Sequence, residues 1–538
     1  VNSSPDGQVA LILLSELGQH TRDIDFGMLG VASITGGGLR QLTDDVSLDI
    51  TTGGNMRVSD YEQSAVTVGA LTAPGIYTID NASVTPQPTD FERHKKVLSL
   101  YGSASFNYAG YFNVDVTGRN DWSSTLPSDN RSYFYPSVSS ALVFTDAFDM
   151  QSDFLSSGKL RASWTRVGND TDPYDLTSVL SSQVGFGNAP MFAIPNELPN
   201  AELKPEETTA FEVGTDLGFF NERMGFVLTY YNATTKNQIL GVQISSTSGY
   251  TSQILNAGSV KNWGYELLLR ATPIQTDDFQ WDMMVNWSKN NSEVTELFGD
   301  LETLVLGSYW SLNVEARKGE PYGVMFGNGY LQDEQGNWLL DSRGRPQRDT
   351  ERRVLGNYNP DWNGGISNRF SYGPFELSTL IDGQHGGDIF SVTNWFGEYA
   401  GVLKSTLKGR ENDWDDPGYL NKGVLPDGRV NGVDADIRIL SQDRFEGNWG
   451  MQGLTVDDAT YMKLREVRLG YELPASWLAQ FGFYGGNVAL IGRNLLLWAP
   501  NIDNIDPETA FDASNVQGIE FGQFPSARSI GLSFTITP

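Results

Sequence analysis

Apolar and polar residues alternate along most of the chain. From Leu98 to Tyr108 the even positions carry Leu98, Leu100, Ala104, Phe106 and Tyr108, and the odd positions Ser99, Ser103, Ser105 and Asn107. After Ala109-Gly110 the period resumes, with Phe112, Val114 and Val116 set against Asn113, Asp115 and Thr117. A period of two sends successive side chains to opposite faces of a strand, so the pattern predicts a hairpin with one apolar and one polar face. It recurs at 134–144, 160–164, 211–219, 226–230, 263–269, 279–287, 366–381 and 530–536.

A soluble sandwich shows the same period, but three features favour a membrane. The runs are about 9 to 12 residues long, the length of a tilted transmembrane strand rather than the usual 5 to 6. Aromatics sit at strand ends, as with Tyr108 and Tyr111 or Trp263 and Trp287, where interfacial girdles require them. Short links (109–110, 221–225, 273–278, 373–374) alternate with long ones (120–132, 167–207, 236–262, 289–361, 383–460). An outer-membrane barrel puts every long loop at its extracellular end, whereas a sandwich has no reason to. The expected fold is therefore all-β, a transmembrane antiparallel β-barrel with about 14 strands in this chain. The phase changes between Tyr461 and Leu473, where Tyr461, Lys463 and Arg465 share a parity with Val467, Leu469 and Tyr471. A β-bulge, or a strand half projecting above the bilayer, would produce that change. Residues 1–93 give one strand near 9–17, followed by a Gly-, Thr- and Asp-rich stretch read as a long loop over about 18–95.

Composition narrows the function. Lys plus Arg is 37 and Asp plus Glu is 66, a net charge of −29, which opposes binding to nucleic acid or to an anionic membrane surface. There is no cysteine and there are only three histidines, so disulfides, Cys-ligated metals and thiol nucleophiles are ruled out. The longest strongly apolar run, Val9 to Leu14, is far short of the ~18 residues of a membrane-spanning helix. The chain opens without the basic n-region of a signal peptide, and is read as mature, truncated or a fragment.

No nucleotide-binding, zinc-protease or serine-hydrolase motif occurs, and no cofactor is expected. The oxygen-bearing side chains of Asp427, Asn431, Asp434 and Asp436 are a candidate Ca²⁺ set by residue type and short spacing, although they lack the EF-hand's spacing and final Glu; Asx-turns are the competing reading. The two longest loops carry Tyr309, Trp310, Trp338, Trp395, Phe396, Trp414 and Trp449. Such aromatics either pack a loop's own core or grip a sugar or a partner. Glu212, Asp216, Glu266, Arg270 and Asp282 fall on the polar parity, where they line a barrel lumen.

Several segments are similar to one known family. Arg119-Asn-Asp-Trp-Ser-Ser-Thr-Leu-Pro127 with Tyr133-Phe-Tyr-Pro-Ser-Val138 resembles the SusC/RagA family of TonB-dependent outer-membrane transporters. So do Leu203-Lys-Pro-Glu-Glu-Thr208, Phe211-Glu-Val-Gly214, Asn262-Trp-Gly-Tyr-Glu266 and Gly356-Asn-Tyr-Asn-Pro360. Ala459-Thr-Tyr-Met-Lys-Leu-Arg-Glu466, Gly470-Tyr-Glu-Leu-Pro474, Gly492-Arg-Asn-Leu495, Asp506-Pro-Glu508 and Pro525-Ser-Ala-Arg-Ser529 continue the series in order. The resemblance covers roughly 95–538 and implies the C-terminal part of a barrel of about 22 strands, with plug, TonB box and signal peptide outside this chain. It also implies outer-membrane localisation, uptake of oligosaccharide or oligopeptide cargo, a SusD-like lipoprotein lid, and coupling to the TonB complex through the missing N-terminal part. The terminal Phe534-Thr-Ile-Thr-Pro538 departs from the family in lacking a final aromatic. The competing readings are a secreted soluble β-rich glycan-binding module or hydrolase, and a structural barrel subunit of a larger surface complex.

Overall fold

The computed structural model describes residues 9–14, 20–186, 189–407, 418–439, 452–511 and 514–537. Its long strands, numbered here in chain order, are β1 (Val9–Leu14), β2 (His20–Gln41), β3 (Val46–Val68), β4 (Gln87–Tyr108), β5 (Phe112–Ser123), β6 (Ser132–Val143), β7 (Leu155–Asn169) and β8 (Glu206–Phe219). They continue as β9 (Met224–Gln243), β10 (Ser252–Gln275), β11 (Phe279–Leu297), β12 (Trp362–Tyr372), β13 (Phe375–His385), β14 (Tyr461–Glu472), β15 (Gly485–Trp498) and β16 (Ser529–Thr537). The chain divides into two compact units, 1–142 with 162–211 and 235–258, and 143–161 with 212–234 and 259–538.

In the first unit β1 to β6 form an antiparallel meander, each strand pairing with the next. The stretch read as a loop over about 18–95 is not one. It holds β2 and β3, paired without interruption from His20↔Val68 to Gln41↔Ser47, and only 69–86 forms the connection to β4. The sequence had hidden these strands because Gly36-Gly37-Gly38 and Gly53-Gly54 dilute the apolar parity; the ladder itself needs only backbone groups.

In the second unit β11 to β16 pair in sequence, again antiparallel. Register sorts their side chains into two faces. Trp281↔Phe370↔Leu377↔Leu469↔Leu490↔Leu532 runs along one face, and Asp282↔Arg369↔Ser378↔Arg468 along the other. The apolar face stays bare, with Leu532 67% and Phe534 69% exposed. Such a face is stable only against hydrocarbon. Trp362 and Tyr372 mark the two ends of β12. Ten residue steps between them are about 34 Å, or about 26 Å vertically at a tilt near 40°, which matches the apolar band of an outer-membrane barrel. At the short-turn end Phe375 and Tyr471 pack with centroids 5.0 Å apart, and Phe154 lies 5.4 Å from Phe219.

The phase change in β14 is a bulge. Its pairing with both β13 and β15 skips Arg465. One extra residue therefore restores Lys463 and Glu466 to the same, polar face. In both units short connections, such as 42–45 and 373–374, alternate with long ones, such as 170–205 and 386–460.

The described parts of the second unit's long connections are folded. Strands Thr303–Tyr309, Leu312–Arg317, Val324–Gly327 and Arg353–Asn357 make a four-stranded antiparallel sheet. Strand Asp388–Ser391 pairs with Val456–Asp458 and Ile519–Glu520, joining the connections 386–460 and 499–528. Leu312, Val314, Met325, Phe390, Val392, Trp395 and Ile519 form a buried core beneath them.

Candidate functional site

The loop assembly is fastened to the polar face of the strands by a charged network at the bulge. Lys463 is 1% exposed, and its Nζ donates to Asp506 Oδ2 at 2.7 Å, to Glu508 Oε2 at 2.6 Å and to Ser526 Oγ at 3.3 Å. Arg465, the bulged residue, donates through Nε to Asp382 on β13 and through Nη1 to Glu508 Oε2 at 2.7 Å. Removing a charge from water is costly unless it is paired and fully hydrogen-bonded, and here both cations meet two carboxylates apiece. Burial pushes the Asp506 carboxyl up, but hydrogen bonds from Lys463 and Ser526 outweigh it and hold the group below its ordinary value. Glu508 is likewise held low, burial being overcome by Arg465 and Lys463.

Three segments recognised in the sequence meet at this point: 459–466, 506–508 and 525–529. The sequence contained a signal for the network in the phase change of β14 and in a lysine placed on a strand of a Lys-poor chain. It did not show which acids Lys463 would reach. Glu520 is a second fastening that the sequence did not reveal. Only 1% exposed, it accepts from Ser391 Oγ at 2.7 Å and from the Thr393 N–H at 3.1 Å, capping helix Val392–Ala400.

A seam of acids lies across the same assembly. Asp388 and Asp458 are register partners, and Asp457 stands opposite Ile389. Burial, with Glu398 and Asp388 nearby, pushes the Asp457 carboxyl up to about 6. Asp388 is raised mainly by burial and by Asp458 and Asp361, against the Asn357 N–H that it accepts at 2.7 Å.

The loop aromatics divide. Trp395 is buried in the core, whereas Trp310 is 50% exposed and stacks on Phe521 at 5.7 Å with rings 5° from parallel. Phe396 lies 5.5 Å from Trp310, and Tyr309 lies 6.1 Å from Phe511. Trp338 packs on Tyr330 at 5.2 Å. Trp414 and Trp449 lie outside the described residues. Trp310 has φ 55°, a left-handed conformation unfavourable to a bulky side chain.

The lumen candidates fall on the polar face as expected. Asp216 takes Lys159 Nζ at 2.7 Å and Arg161 Nε at 3.2 Å. Glu212 and Glu266 line a recess of about 600 Å³ with Arg161, Thr229 and Asn286. Arg270 and Asp282 line another of about 520 Å³ with Arg223, Arg369 and Glu466. The Ca²⁺ candidates are engaged within their own hairpin. Asp427 and Asp436 pair with Arg429 and Arg438, both at 2.8 Å. Asp434 accepts from the Val430 N–H at 3.0 Å, and buried Asn431 bonds the backbone of Asn421 and Ile437. Among the described residues no group of three or more acids and histidines has metal-holding geometry.

In the first unit the recognised segments again act as fastenings. Arg119 Nε meets Asp121 Oδ1 at 2.8 Å, Tyr135 donates to Asp121, and Lys95 Nζ reaches Asp170 at 2.7 Å. Leu203, fully buried, packs with Leu126 and Ile254, and the Asn256 amide brackets Lys204 N and O at 2.9 and 2.8 Å.

Two-faced strands with bare apolar sides, aromatic ends and fastened long loops define an outer-membrane β-barrel protein. Residues 18–299 match the family described as TonB dependent receptor-like, beta-barrel, and the chain belongs to it. It is 25% identical over 492 residues to TonB-dependent receptor P3 of Formosa agariphila, covering 85% of this chain and 47% of that protein. It is 24% identical over 472 residues to TonB-dependent receptor SusC of Bacteroides thetaiotaomicron, covering 83% and 44%. The solved RagAB peptide transporter shares the fold at a TM-score of 0.75 and 21% identity, covering 96% of this chain and 55% of that one. The chain thus spans about half the length of the curated relatives it matches. The family is one of receptors and transporters rather than enzymes, and its place is the outer membrane.

Proposed function

We propose that this chain is the loop-bearing part of a SusC-type importer that takes up an oligosaccharide or oligopeptide. TonB energises it from the periplasm, and a SusD-like lipoprotein closes over its long loops. The observation that carries the reading is the loop assembly. Its loops have their own core and are pinned to the polar face by Lys463 and Arg465. They keep Trp310, Phe396, Phe511 and Phe521 exposed. A simple pore has no need of anchored loops bearing exposed rings, whereas a surface that receives cargo or a lid does. The excess of acids favours neutral or cationic cargo over polyanions.

Two measurements test this reading. Purification of the whole protein in mild detergent should bring down a surface lipoprotein. Titration with oligosaccharide and oligopeptide panels should then find one class whose affinity falls several-fold in Trp310→Ala, as the loss of a stacked ring of about 0.5–1.5 kcal/mol requires. Absence of the lipoprotein, together with unaltered affinity for both classes, would sink it.

A further inference from the structure

The connection 473–484, between β14 and β15, differs from two other short turns of its unit. Residues 220–223 and 276–278 carry charges at their tips (Glu222, Arg223, Asp277, Asp278), as a turn in water does. From Leu473 to Gly492 there is no charged residue at all. Pro474 opens a helical turn, Ala475–Leu478, continued by Ala479–Phe481 and closed by Gly482 at φ 82°. Both ends are tied to the sheet, with Leu473 N donating to Gly486 O at 2.9 Å and Tyr484 N to Thr537 O at 2.9 Å. Trp477 is 53%, Phe481 64% and Tyr484 83% exposed, with the Trp477 and Phe481 rings 6.3 Å apart.

Gly486 shows which way the turn leans. It is the register partner of Ile536, two residues before the Val488↔Phe534 pair, so its missing side chain belongs to the bare apolar face. A Cβ there would lie 2.9 Å from Leu478 Cδ1 and 3.5 Å from Leu473 Cδ1. The helical turn therefore folds over the membrane side of the sheet, with Leu478 filling the space that glycine leaves.

We propose that residues 474–484 are an interfacial anchor, with Trp477, Phe481 and Tyr484 set into the boundary between headgroups and acyl chains of the leaflet at the short-turn end. The patch is continuous with the lipid face through Tyr471, Val488 and Phe534, and with the belt of Tyr372 and Phe375. Indole and phenol rings favour that boundary because one end of each is apolar and the other polar. An uncharged amphipathic turn lies in the boundary plane with its rings about 5–10 Å deep. A periplasmic protein would meet charged turn tips first, and here the exposed rings stand on the outward side.

The absence of cysteine makes the test direct. The protein carrying Phe481→Cys or Asp277→Cys is isolated from outer membranes, nitroxide-labelled and reconstituted in phosphatidylcholine vesicles. At position 481, collisions with oxygen should exceed those with a nickel chelate several-fold, and at 277 the order should reverse. Trp477→Cys is expected to behave as 481 does and serves if Phe481→Cys misfolds. Equal access of the nickel chelate at 481 and 277 would overturn the proposal, because the turn would then stand in water. Shielding of 481 from both reagents would overturn it in favour of a protein contact.

Discussion

The strands β11–β16 and the loop assembly above them are built from the same stretch of chain and solve the burial problem in opposite ways. In the strands the large hydrophobics are the exposed residues, Leu490, Leu532 and Phe534 among them, while Lys463 on the polar face, met by Asp506 from the connection 499–528, is almost wholly buried. In the loops Trp395, Phe390 and Met325 are buried as in any water-soluble domain. The strands borrow their apolar surroundings from the bilayer, so hydrophobic burial cannot tell them where to stop. The loops supply their own core, so hydrophobic burial holds them together but cannot fix them to the barrel. Fixing falls to the charged network at the bulge, where the two regimes meet.

The most severe disruption of that junction is Lys463→Met. It leaves Asp506 buried without its cation, at a cost toward the upper end of about 3–5 kcal/mol. The connection 499–528 should detach and become sensitive to added protease on intact cells, while the heat-modifiable gel band of the barrel persists. Adding Asp506→Asn should recover part of the loss. Protease resistance equal to wild type would show that the loops are held elsewhere. Trp395→Ala should cost about 3–5 kcal/mol in the loop core. Hydrogen exchange should then quicken across 388–400 and 519–520 without change in β12 or β13.

How much of this could be read beforehand follows from the same division. Alternation identified β4 to β13 and β16 because one face of each strand must be apolar. It marked β14 by a phase change that left a bulge and a projecting strand as the two readings, of which the register shows the bulge. β15 escaped because Val488 to Trp498 is apolar on both parities. β2 and β3 escaped because Gly and Thr satisfy a ladder without marking a face. The resemblance picked out Lys463, Asp506 and Ser526 as parts of recognisable segments, but nothing local says that residues some 43 to 63 positions apart converge. The loop core escaped for the reason that any small core does. Trp310 and Trp395 are alike in sequence, and only packing makes one a platform and the other a keystone.

The strand side of the comparison is tested at β16. Leu532→Arg sets a charge against lipid and should cost about 2–4 kcal/mol near the midplane, read as a lower unfolding midpoint in urea from vesicles. Ser533→Arg, one residue along on the polar face, should cost far less. Asp282 would be a poor control, although it shares that face, because it accepts from Thr272, Gln280 and Arg369. Equal losses at 532 and 533 would mean that the two faces are not separated by lipid.

The smallest expected effect is the pH dependence of the seam that joins the loops. Asp457 is raised from its ordinary 3.8 to about 6, so the folded seam binds its proton more tightly than the unfolded chain does. Its contribution is complete below about 4 and is lost as pH rises through about 6. Asp506 and Glu508, held low, act in the opposite sense, stabilising above their ordinary values and losing that stabilisation as pH falls. The two trends overlap in a window of about pH 4 to 6, where the loop assembly should resist protease best. Moving from pH 5 to 8 should weaken it by on the order of 1–2 kcal/mol, allowing for the partial exposure of Asp457. Asp457→Asn should abolish most of that difference by fixing the neutral form, raising resistance at pH 8 more than at pH 5. A wild-type protein equally resistant at both values would mean that the Asp457 carboxylate is solvated at neutral pH and that the seam carries no like-charge penalty.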